Sequence, residues 1–317
     1  MNLDKLPAMF GGDELSNEAY HSGPGISKSQ LDYIAKEPAL LHWSRNAPRD
    51  TEAKTAVDLG DALHAMLLEP DRFHEEYCCD FAPPADALVT TDQLKAHLDK
   101  IGADYKKTGT KAVLEAACLE ADPDAPIASV LRKRWEESVG KRHIFTAEEW
   151  RKLHLMQASV MAHPTAKALL EDDSGINEAS LYWRDAETGV LCRCRPDRMV
   201  PRYKMVLDVK STADIDKFER SLMDYRYHVQ APFYNAGYEA YFGEPPRAFV
   251  FLVVSSSRSA GRYPVRLVSL HPDDYAQGLD EMRGNLETYA EAERSGIWSG
   301  IGTVRLPRFA RRETTTR

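Results

Sequence analysis

The stretch from Cys192 to Lys210, CRCRPDRMVPRYKMVLDVK, constrains the fold more than any other part of the chain. LCRCRPDRMV alternates as a half-buried strand does, KMVLDV is a short β-branched run, and Pro201, Arg202 and Tyr203 supply a turn between them. The pattern predicts a β-hairpin. Residues two apart on a strand face the same side, so Asp208 and Lys210 emerge together, and a short turn brings Asp197 beside them from the neighbouring strand. Paired carboxylates repel each other unless a cation sits between them, and Mg²⁺ is typically held by one or two carboxylates with waters and phosphate oxygens. A lysine at such a pair can orient an attacking water and steady charge developing on phosphoryl oxygens.

The flanking sequence extends this hairpin. NEASLYWRD, a turn at Glu187-Thr188-Gly189, VLCRCRPDRMV and KMVLDVKST read as an antiparallel meander, with Glu178 starting its first strand. AFVFLVVSS is nearly continuous in apolar character, which predicts a central strand, and YPVRLVSLH predicts another. Residues 214–242 read as one long helix that Pro232 should kink or restart, with Gln230 and Tyr234 one turn apart on it. DDYAQGLDEMRGNLETYAEAERSG, residues 273–296, predicts the last helix.

Before the meander the chain reads as helical. Residues 1–25 carry Gly11-Gly12 and Gly23-Pro24-Gly25 with little periodicity, which predicts a flexible arm. Ser27 is placed to cap the next helix, with Gln30 as capping-box partner and Pro38 marking its break. A helix start offers N–H groups to a phosphate, so Ser27 and Ser29 are either ordinary cap residues or phosphate contacts. From Thr55 to Glu69 an apolar stripe predicts a helix with Gly60 and His64 on one face; the imidazole is either a core residue or a metal ligand. Residues 90–120 predict two short helices around a Gly- and Lys-containing connection; the unit resembles the SAP-type helix-extension-helix motif, which would set Lys106, Lys107 and Lys111 to meet phosphates, and otherwise those lysines are solvated. SVLRKRWEESVGKRHI reads as a connecting arm, Thr146–Glu149 as a capping box opening a helix through Met161, and Pro164 as the start of another through Leu170.

Pro196-Asp197 followed by Asp208-Val209-Lys210 resembles the PD-(D/E)XK nuclease signature. Gly60–His64 is similar to its G-x-x-x-H motif, Glu178 to its upstream acid, and Gln230-x-x-x-Tyr234 to the closing helix motif of RecB-type and exonuclease VIII (RecE)-type nucleases. GISKSQLDYIAKEPALLHW resembles the opening of the exonuclease VIII catalytic domain. The resemblance implies an α/β fold, a central mixed sheet flanked by helices, in one domain over 26–300. Residues 85–140 read as a helical insertion in that domain, SAP-like at 90–120, and residues 301–317 as a basic tail. The resemblance also implies Mg²⁺-dependent DNA hydrolysis, with Mn²⁺ able to substitute. Asp197, Asp208, the Val209 carbonyl and His64 would hold metal, Glu178 would join them, Lys210 would act on the water, and Gln230 and Tyr234 would support the site. Further implications are 5′-to-3′ digestion of double-stranded ends leaving 3′ overhangs for recombination, a phage setting, a ring-shaped homo-oligomer and a single-strand annealing recombinase as partner. The alternatives are an endonuclease or single-strand nuclease of this fold, or a non-catalytic DNA-binding relative.

Composition narrows the setting. A net charge of −8 on 317 residues leaves any DNA contact to a local groove or segment, and the tail from Arg305 is locally basic. No apolar run approaches the ~20 residues of a membrane helix and no signal peptide is evident, which predicts a cytoplasmic protein without membrane contact. Five cysteines without a C-x-x-C pair predict free thiols. Nothing after Cys194 could complete the iron–sulfur cluster of some related nucleases, so none is expected.

Overall fold

The computed structural model describes residues 3, 5–12, 14–48 and 59–298. In chain order its elements are β1 (Ala8–Phe10), α1 (Asn17–Ser22), α2 (Lys28–Lys36), α3 (Pro38–Asn46), α4 (Leu59–Leu68), α5 (Pro70–Glu76), β2 (Tyr77–Cys79), α6 (Thr91–Ile101), α7 (Lys111–Ala121), α8 (Ala128–Val139), β3 (His143–Phe145), α9 (Ala147–Ala162), α10 (Pro164–Leu170), β4 (Ile176–Asn177), β5 (Ser180–Arg184), β6 (Leu191–Cys194), β7 (Arg198–Val200), β8 (Met205–Thr212), α11 (Phe218–Asp224), α12 (Tyr227–Phe242), β9 (Ala248–Ser255), β10 (Val265–Val268) and α13 (Pro272–Ser295). The start of the expected helix at 55–58 and the basic tail at 301–317 lie outside the described residues. The chain forms two compact units, one of residues 1–56, 67–69 and 155–317, the other of 57–66 and 70–154.

The first unit is built on a mixed sheet of order β10-β9-β8-β7-β4, and β1-β5-β6 form a second sheet. β8 and β9 run parallel, which demands a crossover, and α11 with α12 supplies it. Both faces of β8 and β9 are buried. Val206, Phe251 and Val253 pack with Val229 and Phe233 of α12, Leu31 and Ile34 of α2, and Met282 and Leu286 of α13.

The expected single meander is in fact two sheets. VLCRCRPDRMV stops being a strand at Arg195-Pro196-Asp197 and NEASLYWRD stops at Glu178-Ala179, so one long bent hairpin contributes β5 and β6 to one sheet and β4 and β7 to the other. Pro196 has no N–H to give a ladder, and hairpins turn sheet corners at such breaks. Asp197 and Glu178 therefore lie at the corner and not on strands.

The N-terminal segment is also more ordered than its composition suggests. β1 pairs antiparallel with β5, and Ile26 bridges to Cys192. Two arginines of the bent hairpin hold the rest: Arg193 donates to the carbonyls of His21 (3.0 Å) and Pro24 (3.1 Å), and Arg195 to that of Leu15 (2.7 Å). The segment following residue 127, read as a connecting arm, is the helix α8.

The long helix expected over 214–242 breaks at Tyr225-Arg226, where Arg226 takes the left-handed φ of 51°. Arg226 is held there by Asp32 of α2 (2.9 Å) and Glu281 of α13 (2.8 Å), and His228 also meets Glu281 (3.2 Å). Pro232, by contrast, stays inside α12. Its missing N–H frees the His228 carbonyl, and α13 approaches that oxygen so closely that a Cβ at Gly278 would lie 1.8 Å from it. The freed carbonyl thus faces a glycine that admits it.

The second unit holds the segment read as a helical insertion. Thr90 and Gln93 form a capping box at α6, and Leu94 and Leu98 pack on Leu114 and Cys118 of α7. Around β2 and β3, which pair in parallel, Phe73 lies 5.4 Å from both Tyr77 and Trp150, and Tyr77 stacks on Phe145. Thr146 and Glu149 cap α9 as their spacing predicts.

Two predictions test this packing. Gly278→Ala should lower stability in urea by about 1–3 kcal/mol, while Gly284→Ala on the same helix, where nothing lies within 4 Å, should raise it by about 0.5–1 kcal/mol; equal effects would contradict the close approach. Burial acts to raise the Glu281 carboxyl, but donors from Gln277, Arg226 and His228 outweigh it and hold it down, from 4.5 to about 2. A depressed carboxylate contributes stability above its unfolded pKa and loses it as pH falls through the folded value. Glu281→Gln should therefore lose less stability than the parent between pH 4.5 and about 2, and parallel curves over that window would contradict the clamp.

Candidate functional site

The corner of the bent hairpin gathers acidic groups. Glu178 adopts a left-handed φ of 50°, a conformation costing a non-glycine residue about 1–3 kcal/mol, and its N–H donates to the carbonyl of Asp197 at 3.1 Å. Arg198 pairs with Leu207 in the β7–β8 register, so Asp197 falls opposite Asp208. The backbone N–H of Val209 donates to Asp197 Oδ2 at 2.6 Å, fixing that carboxylate against β8.

β8 carries Asp208 and Lys210 on one face, as the period of two requires. Asp208 is only 1% exposed; Lys210 Nζ lies 2.6 Å from its Oδ2, and Gln230 Nε2 donates to its Oδ1 at 2.6 Å. Burial acts to neutralise Lys210, but Asp208 and then Asp197 overcome it and push its pKa up, so the ammonium stays charged. Its Nζ also sits 4.7 Å from the centre of the Tyr227 ring. Gln230 is one turn before Tyr234 on α12, whose phenol burial pushes up.

Ser27, Ser29, Glu178, Arg195, Gln230 and Tyr234 line one cavity of about 270 Å³. Ser27 starts α2, its N–H accepted by Gln30 Oε1 at 3.0 Å, and the Ser27 and Ser29 hydroxyls are 3.0 Å apart. Arg195 donates to Ser180 Oγ at 2.8 Å and covers the Tyr20 ring at 4.5 Å. A larger cavity, about 580 Å³, lies beside Phe218, Leu222 and Phe251 and contains none of these site residues.

Other sequence candidates belong to the second unit. Gly60 and His64 are one turn apart on α4 as expected, in the second unit. So are Lys106, Lys107 and Lys111; Lys107 pairs with Asp99 at 3.7 Å and Lys111 with Glu115 at 3.8 Å. The Lys107–Asp99 pair is exposed on both sides, and such pairs contribute little to stability.

Three residues escaped the sequence reading. Arg195 shares the RCRPD run with Asp197, and its charge inside an alternating strand was the available signal. Tyr227 lies one turn before Gln230, but an aromatic on an apolar helix gives no signal of its own. Glu69 has a carboxylate oxygen within 4.8 Å of one on Glu178. The Leu68 carbonyl beside it accepts from Asn177 Nδ2 at 2.7 Å.

The donor chemistry fits a hard divalent cation. Asp197 and Asp208 face one ammonium, Glu178 and Glu69 form a second carboxylate pair, and oxygen donors of this kind suit Mg²⁺ or Mn²⁺. Among the described residues no helix is long and apolar enough to cross a membrane.

A family described as a PDDEXK-like domain of unknown function (DUF3799) matches the chain over residues 27–302. A crystal structure at 2.19 Å from Eubacterium rectale, provisionally described as an exonuclease, is similar with a TM-score of 0.53 and 13% identity, covering 89% of this chain and 88% of that one. At that identity the likeness concerns the fold. The crystal structure of SSO0001 covers 73% of this chain and 87% of its own, with a TM-score of 0.24 and 9% identity. No curated protein matches.

The Asp208–Lys210 pair generates a stability prediction. Removing one partner of a buried pair leaves an uncompensated charge, so Lys210→Met should cost about 3–5 kcal/mol in chelator. Adding Asp208→Asn should recover most of that loss, and a double variant as unstable as the sum of the two single changes would show that the pair is not coupled.

Proposed function

Because the chain belongs to the PDDEXK-like family, and so to the PD-(D/E)XK nuclease superfamily, we propose that it is a Mg²⁺-dependent DNA exonuclease that digests double-stranded ends from 5′ to 3′. The observation that carries the hydrolytic part is Asp208, held between Lys210 and Gln230 with Asp197 opposite it. Asp197, Asp208 and the Val209 carbonyl would hold the cation. When bound, it would neutralise phosphoryl charge and make water a stronger nucleophile.

The protein groups do the positioning. Gln230 and the Val209 N–H hold the two carboxylates in fixed orientations, so little reorganisation accompanies the reaction. Lys210 remains an ammonium, and it would orient the attacking water and balance charge developing on the phosphoryl oxygens. The hydroxyls of Ser27 and Ser29 and the guanidinium of Arg195 share the cavity wall with Gln230 and Tyr234, a setting suited to the phosphate backbone. His64 enters the proposal through its motif, as a further ligand, and Glu178 as the upstream acid. Direction of digestion, the annealing recombinase and the ring-shaped oligomer rest on the resemblance to exonuclease VIII.

Digestion of end-labelled DNA tests the proposal. A linear duplex labelled at its 5′ ends should lose label first in Mg²⁺ or Mn²⁺, with little hydrolysis in Ca²⁺ and none in chelator. Lys210→Ala should lower kcat by about 100-fold or more, in the range of a lost transition-state donor, and His64→Ala should lose most activity. Cleavage of covalently closed circles would make the enzyme an endonuclease, and hydrolysis undiminished in chelator would end the metal-dependent reading.

A further inference from the structure

Beside the catalytic lysine the chain holds an aromatic ring open to solvent. Tyr225 is 62% exposed at the turn between α11 and α12. Its ring stacks on that of Tyr227 at 5.6 Å and 23°, and Tyr227 in turn faces Lys210 Nζ at 4.7 Å. The two separations place Tyr225 within roughly 10 Å of the ammonium, about three nucleotide steps of ~3.4 Å along one strand.

The turn that presents this ring is fixed from several sides. Arg226 is left-handed and clamped by Asp32 and Glu281, the Tyr225 carbonyl accepts from Lys28 Nζ at 2.5 Å, and the Tyr225 N–H donates to Ser221 at 3.0 Å. An isolated exposed aromatic needs no explanation. One that is rigidly mounted, already stacked on the partner of a catalytic ammonium, presents a second, open π-face at a defined place.

We propose that Tyr225 is a stacking platform for a nucleobase of the strand whose scissile phosphate lies at Lys210. The inference rests on the nuclease reading and adds a substrate class: a strand with at least one base freed from its neighbour, as at a frayed or single-stranded end. Every base has a π-face, so such a contact is tolerant of sequence, and it is worth about 1–3 kcal/mol per base. The Lys28 ammonium, 6.0 Å from the Tyr227 ring centre and paired with Asp32 at 2.8 Å, fixes the same turn.

The test uses the full chain and single-stranded oligonucleotides carrying 2-aminopurine at each of the first four positions from the 5′ end, with chelator present. At one position the parent protein and Tyr225→Phe should quench the probe, whereas Tyr225→Leu should not, and its Kd should be weaker by about ten-fold, equivalent to ~1.4 kcal/mol. An oligonucleotide abasic at that position should bind the parent and Tyr225→Leu alike. In Mg²⁺, Tyr225→Leu should raise KM by a similar factor and change kcat little. Equal quenching and affinity for Tyr225→Leu and the parent would overturn the proposal, as would an equal loss on the abasic strand. A parent protein that quenches the probe but never hydrolyses DNA would sink the nuclease reading and leave the platform standing.

Discussion

A carboxylate buried in the middle of a sheet is the constraint on which this structure turns. Asp208 sits on β8, the third strand of five, with 1% of its surface exposed. An ionised carboxylate in such a place must be compensated, and the compensation is local and directional. Lys210, two residues along the same strand, supplies the charge, and Gln230 reaches from α12 to supply a donor. The crossover helix is thereby tied to the sheet by the same contacts that orient the site. Asp208 thus links the packing of α12 to the chemistry of β8.

The second organising feature is the corner in the bent hairpin. Pro196 interrupts one arm and Glu178 takes a left-handed conformation in the other, so the hairpin serves two sheets and leaves two acids at the junction. Strained backbone of this kind persists where surrounding structure fixes it. The Glu178 N–H to Asp197 bond and the Val209 N–H to Asp197 bond do so here. Arg193 and Arg195, on the same arm, fasten the N-terminal segment that leads into α2, and Arg195 shares the cavity lining with the start of that helix.

Much of this was legible in the sequence, and for identifiable reasons. Caps and prolines act within a turn of themselves, so the starts of α2, α9 and α10 followed from Ser27, Thr146 and Pro164. Asp208 and Lys210 share a face by the period of a strand, and Gln230 and Tyr234 by that of a helix. What periodicity missed was decided at long range. Alternation runs on through Arg195–Asp197 although the chain changes sheets there. The helix expected over 214–242 breaks at Arg226, which no glycine or proline marks, because Asp32 and Glu281 hold that residue. It continues through Pro232 because Gly278 of α13 admits the freed carbonyl. β1 is ordered by pairing with β5, and the segment around α1 by arginines more than 150 positions downstream. Tyr227, an ordinary aromatic in sequence, gains its place only from the lysine it faces.

The central claim is that the buried Asp208 and the corner residue Asp197 together form the cation site. Anomalous diffraction from crystals equilibrated with Mn²⁺ tests it most directly. The account predicts a manganese peak within about 2.5 Å of carboxylate oxygens of both Asp197 and Asp208, in the range of metal–oxygen bonds, with Lys210 still beside it. A crystal saturated with Mn²⁺ that shows the metal elsewhere, with neither aspartate among its ligands, would contradict the account.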